Sequence, residues 1–377
     1  MRLPAVALFG LVPILLAGRA SVPARGMPPA SAQPAAAAIT LSEFVFERAP
    51  VPQCHASTIV ETAPGTFLAA WFAGTREGAP DVAIWTARRE GGRWGEPVRV
   101  AGGTGPGGEP QPTWNPVLFA PGKGRVWLFY KVGPSPSRWW GMLMSSEDGG
   151  STWSAPRRLP DGVLGPIKNK PVVLADGSWL SPSSTEDPKA GWQVHFERSG
   201  DQGATWETVG PIGKGPGLEA IQPAILFLRE GLLQALCRTR SGVIAATRSR
   251  DGGKTWDQLS RTSLPNPNSG IDAVTLADGR HLLVYNHSAP AAGSRSGPRC
   301  PLNVALSADG VAWEPVATLE TDPLPDGYAY PAVIQSSDGL VHVTYTWNRR
   351  RIKHVVMDAG NMGSGPGAGH QTNGASR

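Results

Sequence analysis

Alternation of apolar and polar residues, rather than a helical period, runs through most of the chain. Short runs rich in β-branched and aromatic residues recur at Thr66 to Phe72, Val126 to Lys131, Leu232 to Cys237, His281 to Tyr285 and Leu340 to Trp347. Each run is bounded by Gly, Pro, Asn or Asp. Such runs predict half-buried strands joined by tight turns, and no long segment carries apolar residues at the 3.6-residue spacing of an amphipathic helix.

One turn sequence repeats between these strands. It reads Ser146-Glu147-Asp148-Gly149-Gly150-Ser151-Thr152-Trp153, then Ser199-Gly200-Asp201-Gln202-Gly203-Ala204-Thr205-Trp206, then Ser249-Arg250-Asp251-Gly252-Gly253-Lys254-Thr255-Trp256. A shortened copy is Ser307-Ala308-Asp309-Gly310-Val311-Ala312-Trp313, and Arg89-Glu90-Gly91-Gly92-Arg93-Trp94 is a decayed one. The Asp carboxylate can accept from backbone N–H groups just ahead, Gly tolerates positive φ, and Trp folds back over the hairpin. These aspartates are therefore expected to be structural staples and are left out of the candidate site. They stand 53, 50 and 58 residues apart, a period that suits one four-stranded blade. A body of residues 39–358 then holds about six blades, which predicts an all-β, six-bladed propeller.

Composition narrows the picture. With 47 Gly, 37 Pro and 14 Trp the chain is built for turns and pleated surfaces, and 40% hydrophobic content supports a large core. The formal net charge of +5 is spread out, so no nucleic-acid partner is expected. Residues 1–20 have the positive start and apolar stretch of an export signal, and an Ala/Pro-rich linker follows to residue 38. The chain is thus expected to reach a periplasm or the cell exterior, without stable membrane insertion. Residues 359–377, rich in Gly and Ser, are expected to be a disordered tail. Cys54, Cys237 and Cys300 form at most one bridge and are expected as buried free thiols. No spacing suggests a metal or a nucleotide, and no cofactor is expected.

With its boxes in phase with blades, the chain resembles the sialidase (neuraminidase) superfamily, in the bacterial group with Asp-box repeats. The resemblance implies one site at the propeller axis, where three arginines grip a carboxylate, an Asp serves as acid/base and a Tyr–Glu pair provides the nucleophile. By local context Arg238, in Leu236-Cys237-Arg238-Thr239-Arg240, and Arg299, before Pro301-Leu302-Asn303-Val304, match two of the arginines. The loop Gly74-Thr75-Arg76-Glu77-Gly78-Ala79-Pro80-Asp81 supplies Arg76 and the acid/base candidate Asp81, with Glu77 as its alternative. Tyr330 is the candidate nucleophile and Tyr328 its competitor. A neutral phenol suits a substrate that carries its own carboxylate at the reacting carbon.

Two positions depart from the superfamily's pattern. His55 stands where an arginine is expected, and imidazole cannot form the same fork. Gln222 stands where the partner glutamate of the tyrosine is expected, and an amide is a poor base. Glu219 can replace it only if the chain bends, because strand alternation places it on the opposite face. The expected activity is exo-acting hydrolysis of a terminal acidic sugar from a glycan. The alternatives are a hydrolase or lyase for uronate- or deoxysugar-containing polysaccharide, with His55 and Tyr330 moving protons, and a non-catalytic glycan-binding propeller. Lys168-Asn169-Lys170-Pro171, Asn266 to Asp272, Tyr285-Asn286-His287 and Trp139-Trp140 are further candidate sugar contacts.

Overall fold

The computed structural model describes residues 38–362 except Lys123, so the expected export signal and most of the linker and tail lie outside the described residues. Every strand run read from the sequence forms a strand, and each strand pairs antiparallel with its neighbours in chain order. Six sheets of four or five strands result, arranged as the blades of a propeller, with a two-stranded ribbon of Gly103–Thr104 and Pro110–Gln111 beside them. The first comprises Gln53–Ala63, Thr66–Gly74 and Ala83–Glu90, edged by Arg93–Trp94 and Val98–Ala101. The second comprises Thr113–Phe119, Val126–Val132, Trp140–Ser146 and Arg157–Arg158; the third Val172–Val173, Trp179–Asp187, Gly191–Ser199 and Glu207–Val209. The fourth is Ala220–Phe227, Leu233–Thr239, Val243–Ser249 and Ser260–Pro265, and the fifth Asp272–Thr275, His281–Tyr285, Leu302–Ser307 and Glu314–Glu320. The sixth takes three strands from the end of the body, Tyr328–Gln335, Val341–Trp347 and Arg351–Met357, and its outer strand, Ile39–Phe44, from the start. That borrowed strand closes the ring.

The repeated turns join the third and fourth strands of their blades and work as staples. In the second blade, Asp148 Oδ1 accepts from the backbone N–H of Thr152 at 2.8 Å, and Ser146 Oγ accepts from Gly150 N–H at 2.7 Å. The same bonds recur around Asp201, Asp251 and Asp309. The hydroxyls of Thr205 and Thr255, backed by backbone N–H groups, hold Asp201 and Asp251 down to about 2. Gly253 sits at φ +82°, where a Cβ would meet Leu180 of the preceding blade at 2.8 Å, so the box packs directly on its neighbour. Trp256 completes the contact, stacking on Phe196 with centroids 4.0 Å apart.

Between blades, polar side chains tie one inner strand to the next. Thr58 Oγ1 accepts from Leu118 N–H, Ser184 Oγ from Gln222 N–H, and Asp272 Oδ2 from Val333 N–H. Packing extends past the expected body end at residue 358. Residues Ala359–Asn361 form one helical turn, Ala359 and Met362 are buried, and Arg280 donates to both carbonyls. Among the described residues, no helix is long and apolar enough to cross a membrane.

Candidate active site

Four inner strands carry the same irregularity. Register slips at Ala56-Ser57, Asn115-Pro116, Gln222-Pro223 and Tyr330-Pro331, and the first residue of each pair has positive φ: +57°, +38°, +57° and +53°. A bulge of this kind re-aims a side chain that would otherwise follow the pleat. The left-handed backbone of a non-glycine residue is strained, and the surrounding ties hold it. Asn169 Nδ2 donates to the carbonyls of Gln222 and Pro223 at 3.0 and 3.1 Å, and Lys168 Nζ donates to Pro331 O at 2.5 Å and Ile271 O at 2.8 Å.

Two of these bulges bring Gln222 and Tyr330 together. The Tyr330 phenol oxygen accepts from Arg238 Nη1 at 2.7 Å and from Gln222 Nε2 at 3.2 Å. Arg238 also donates to Gln222 Oε1 at 3.2 Å and, through Nε, to Asn268 Oδ1 at 2.9 Å. Arg299 and Lys168 each lie 5.9 Å from the center of the Tyr330 ring, and His55 packs on it at 4.3 Å. Residues far apart in sequence thus meet on one phenol. Arg238, Tyr330, Gln222, His55 and Lys168 are buried, with Arg238 at 8% exposure and Tyr330 at 9%.

The electrostatics of this cluster are one-sided. Among the described residues, Arg238, Arg299 and Lys168 form no ion pair with a carboxylate. Burial pushes Lys168 down to about 7, opposed by Asp272 and reinforced by Lys170 and Arg238. Burial also lowers Arg299, helped by Arg238. His55 is pushed well below its ordinary value by burial first and then by Arg349, Arg299, Arg238 and Lys168. It is a neutral imidazole that hydrogen-bonds Thr346 Oγ1 through Nδ1 at 3.1 Å. Buried positive charge without a negative partner is costly, and an anion entering the cluster would relieve that cost.

The other expected site residues make different contacts. Glu219 is not the partner of Tyr330: it is 40% exposed, 3.7 Å from Arg240 and 3.8 Å from Lys214, because the bend begins only at Gln222. Arg76 is exposed. Asp81 is exposed too, and its carboxylate accepts from Thr75 Oγ1 at 2.6 Å and Thr75 N–H at 2.8 Å. The Thr75 hydroxyl is the main reason its acidity lies on the strong side of ordinary. Among the described residues, no hydrogen bond joins Arg76 or Asp81 to Tyr330. Glu77, from the same loop, pairs instead with Arg349 at 2.6 Å. Tyr328 turns into the core and donates to Asp322 O.

Several candidate sugar contacts prove structural. Asn286 donates to the carbonyls of Pro301 and Tyr328, Trp139 packs on Trp114, and Trp140 lies under Arg158. Cys54 and Cys237 are buried thiols, whereas Cys300 is half-buried and donates to Thr321 O. Arg349, Trp192 and Glu186 belong to the surroundings of the site and carried no motif. Arg349 has positive φ in a run of three arginines, and Trp192 lies on a hairpin with its ring 5.2 Å from Arg238 and 3.8 Å from Arg240.

Comparison with known proteins gives a consistent picture. The model of the BNR repeat-like domain family matches residues 65–343. An anhydrosialidase of Macrobdella decora is 25% identical over 233 residues, 55% of this chain and 30% of that protein. A sialidase of Bacteroides fragilis (strain YCH46) is 27% identical over 204 residues, 48% of this chain and 35% of that protein. The chain therefore spans about a third of the length of these curated relatives. The solved structure of a Hadza microbial sialidase superposes with a TM-score of 0.66 at 19% identity, covering 82% of this chain and 66% of that one. At that identity the likeness speaks for the propeller fold.

Proposed function

Because the chain belongs to the BNR repeat-like domain family, we propose that it is an exo-acting glycoside hydrolase of sialidase type, which removes a terminal acidic sugar from a glycan at the Tyr330 cluster. The observation that carries this reading is the short bond from Arg238 to the Tyr330 phenol, within a buried group of cations that, among the described residues, forms no ion pair with a carboxylate. An incoming sugar carboxylate supplies the missing negative charge. Arg238 and Arg299 offer planar forks for it, and Gln222 and Asn268 hold Arg238 in place.

In the reaction, Tyr330 attacks the anomeric carbon. Its phenol avoids the repulsion a carboxylate nucleophile would meet beside the substrate's own charge. Arg238, Arg299 and Lys168 stabilise the charge that develops on the phenol oxygen as its proton leaves. Gln222 orients that oxygen but takes no proton, so turnover is expected to be slower than with glutamate there. The neutral His55 packs tilted against the ring, at the position where the resemblance implies a third fork. The signal-like start of the chain fits an enzyme that meets its glycan outside the cytoplasm.

Release of sugar from aryl sialosides and aryl uronides by the purified protein tests the proposal. Hydrolysis that is lost in both Tyr330→Phe and Arg238→Ala supports it, and hydrolysis that survives both removes it. One pair of observations favours a second reading, a propeller that binds acidic sugars without cutting them. Gln222 occupies the place of a base, and Asp81 is engaged by its own loop. Tight binding of a sialoside that is never hydrolysed selects that reading.

A further inference from the structure

We propose that His342, His354 and Glu43 form an acid-sensitive latch at the seam where the propeller ring closes, one that releases the strand Ile39–Phe44 when the paired imidazoles take up a proton. The three side chains come from neighbouring strands of the sixth blade, Val341–Trp347, Arg351–Met357 and the closing strand itself. His342 Nδ1 lies 3.0 Å from His354 Nε2, and His354 Nδ1 lies 3.0 Å from Glu43 Oε1. The first blade completes the seam. Arg89 Nε and Trp94 Nε1 donate to the same Glu43 oxygen at 2.7 and 3.0 Å, and the Phe67 ring stacks on His342 with centroids 4.1 Å apart. One carboxylate thus joins both ends of the ring.

Donor counting fixes where the hydrogens are. To bond the Glu43 carboxylate, His354 must carry its hydrogen on Nδ1; its Nε2 then accepts, and His342 must donate from Nδ1. That leaves His342 Nε2 bare, buried and, among the described residues, without a partner. A proton added to either ring puts a hydrogen on this Nε2, where no acceptor meets it, or else breaks the bond between the rings. Both outcomes are costly in a buried seam.

The charged groups facing the pair act in the same sense. Burial pushes His342 down to about 3, with His354 and Arg89 adding to the effect and Asp338 and Glu43 opposing it. Burial also lowers His354, against Glu43 and with Arg89. Burial works to raise Glu43, but the bonds from His354 and Arg89 bring it below its ordinary value, so it remains an acceptor while the rings titrate. Released histidines take up protons near pH 6.5. Both rings titrate lower than this in the closed seam, so closure is fully favoured above about pH 6.5. Below it, the ratio of closed to open falls by about tenfold per pH unit for each ring. Solvent reaches the Glu43 end through a groove of about 540 Å³ that Glu47, Arg48, Arg93, Trp94 and Glu96 also line.

Release of the strand reaches the rim of the candidate site. The ring of Phe44, next to Glu43, lies 3.6 Å from the Arg351 guanidinium and 5.5 Å from the Trp347 ring. Trp347 and Arg351 pair across the base of the turn that carries Arg349, the partner of Glu77 in the first-blade loop. The latch would operate whatever the propeller acts on.

Hydrogen exchange of the folded full chain, followed by mass spectrometry from pH 7.5 to 5 and expressed as protection relative to the unstructured rate, tests the latch. Protection of Ile39–Phe44 and Arg351–Met357 is expected to fall by about tenfold or more between pH 6 and 5, while Leu233–Thr239 in the fourth blade keeps its protection. His342→Gln removes one titrating ring and should flatten that fall. An equal fall in all blades, or a fall that His342→Gln leaves unchanged, overturns the latch. If the variant does not fold, nitrogen NMR of the parent chain decides. His342 and His354 are expected at pH 7 as neutral rings with their hydrogens on Nδ1; either ring carrying its hydrogen on Nε2 instead, or found charged in the closed state at pH 6, overturns the latch as well.

Discussion

Replacing Arg238 with alanine separates a ligand-binding arginine from a structural one. The side chain makes four close polar or stacking contacts: Tyr330 Oη at 2.7 Å, Gln222 Oε1 at 3.2 Å, Asn268 Oδ1 at 2.9 Å, and the Trp192 ring at 5.2 Å. None is with a carboxylate. If the guanidinium exists to meet an anion, its removal should cost binding far more than folding. Hydrogen bonds to charged groups contribute about 1.5–3 kcal/mol, which is about 10- to 150-fold in Kd for a sialic acid ligand.

Folding is a balance of opposed terms at this position. Gln222 and Asn268 lose a donor, which costs about 1–3 kcal/mol for each acceptor left dry. Against this, a buried cation leaves the neighbourhood of Arg299 and Lys168, and water can enter the vacated space. The melting temperature should therefore move by only a few degrees, on the order of 1 kcal/mol. Calorimetric titration with sialic acid and with an uncharged hexose, alongside thermal melts, measures both quantities. Arg238→Lys keeps the charge but loses the fork and should fall between parent and alanine variant. An Arg238→Ala chain that binds sialic acid within twofold of the parent, or that loses the acidic and the neutral sugar equally, would refute the assignment.

Gln222→Glu places a carboxylate about 3 Å from the Tyr330 oxygen, and as an added base it should raise kcat on aryl sialosides by about tenfold or more; steady-state kinetics showing no gain would mean that loss of the phenol proton does not limit turnover. Trp256→Ala removes the stacked lid on Phe196 and should cost about 2–3 kcal/mol, read as a drop in melting temperature of several degrees. Gly327→Ala forces a Cβ at φ +59° to within 2.6 Å of the Arg299 carbonyl, so both stability and anion affinity should fall; a loss of stability with unchanged affinity would exclude Arg299 from the grip. Asp201 and Asp251 titrate at about 2 when folded and near 3.9 when unfolded, so the unfolded chain takes up protons first as pH falls. Their stabilisation is complete above about pH 4 and is lost as the pH falls towards 2. Melts between pH 5 and 2 should show this loss, and a shallower one in Asp251→Asn.

The blades were legible because each repeats one local solution. Ser, Asp, Gly and Trp at fixed offsets determine the turn without help from distant residues, and their spacing gives the blade length. The closing strand Ile39–Phe44 was not legible, since its partner lies more than three hundred residues away and no local pattern encodes a ring. Arg238 and Tyr330, each within a strand near its end, and Arg299, just before one, could be picked out because each stands in a recognisable context. Arg349 and Trp192 could not, because they reach the site through loop and hairpin geometry. Asp81 was picked out by its loop context alone; in the fold the Thr75 hydroxyl six residues earlier bonds its carboxylate.

The proline dipeptides of the inner strands hold information that a strand pattern conceals. Proline cannot donate to a ladder and is normally kept out of central strands. Here Asn115-Pro116, Gln222-Pro223 and Tyr330-Pro331 all stand on inner strands, each at a register slip and each preceded by a residue with positive φ. The residue before proline prefers extended backbone, so three such exceptions in one molecule require external support. Lys168 and Asn169 provide it for two of the three, bonding the carbonyls that the slip frees. The strain has a result: at Gln222 and Tyr330 it places one side chain from each strand in contact across the axis, where regular strands would keep them apart. In the first blade the slip survives at Ala56-Ser57 without proline, and there His55 supplies the side chain that reaches Tyr330. The site is thus built by breaking the pleat at equivalent points of four of the six blades, and it is the choice of residue at those breaks that sets its chemistry.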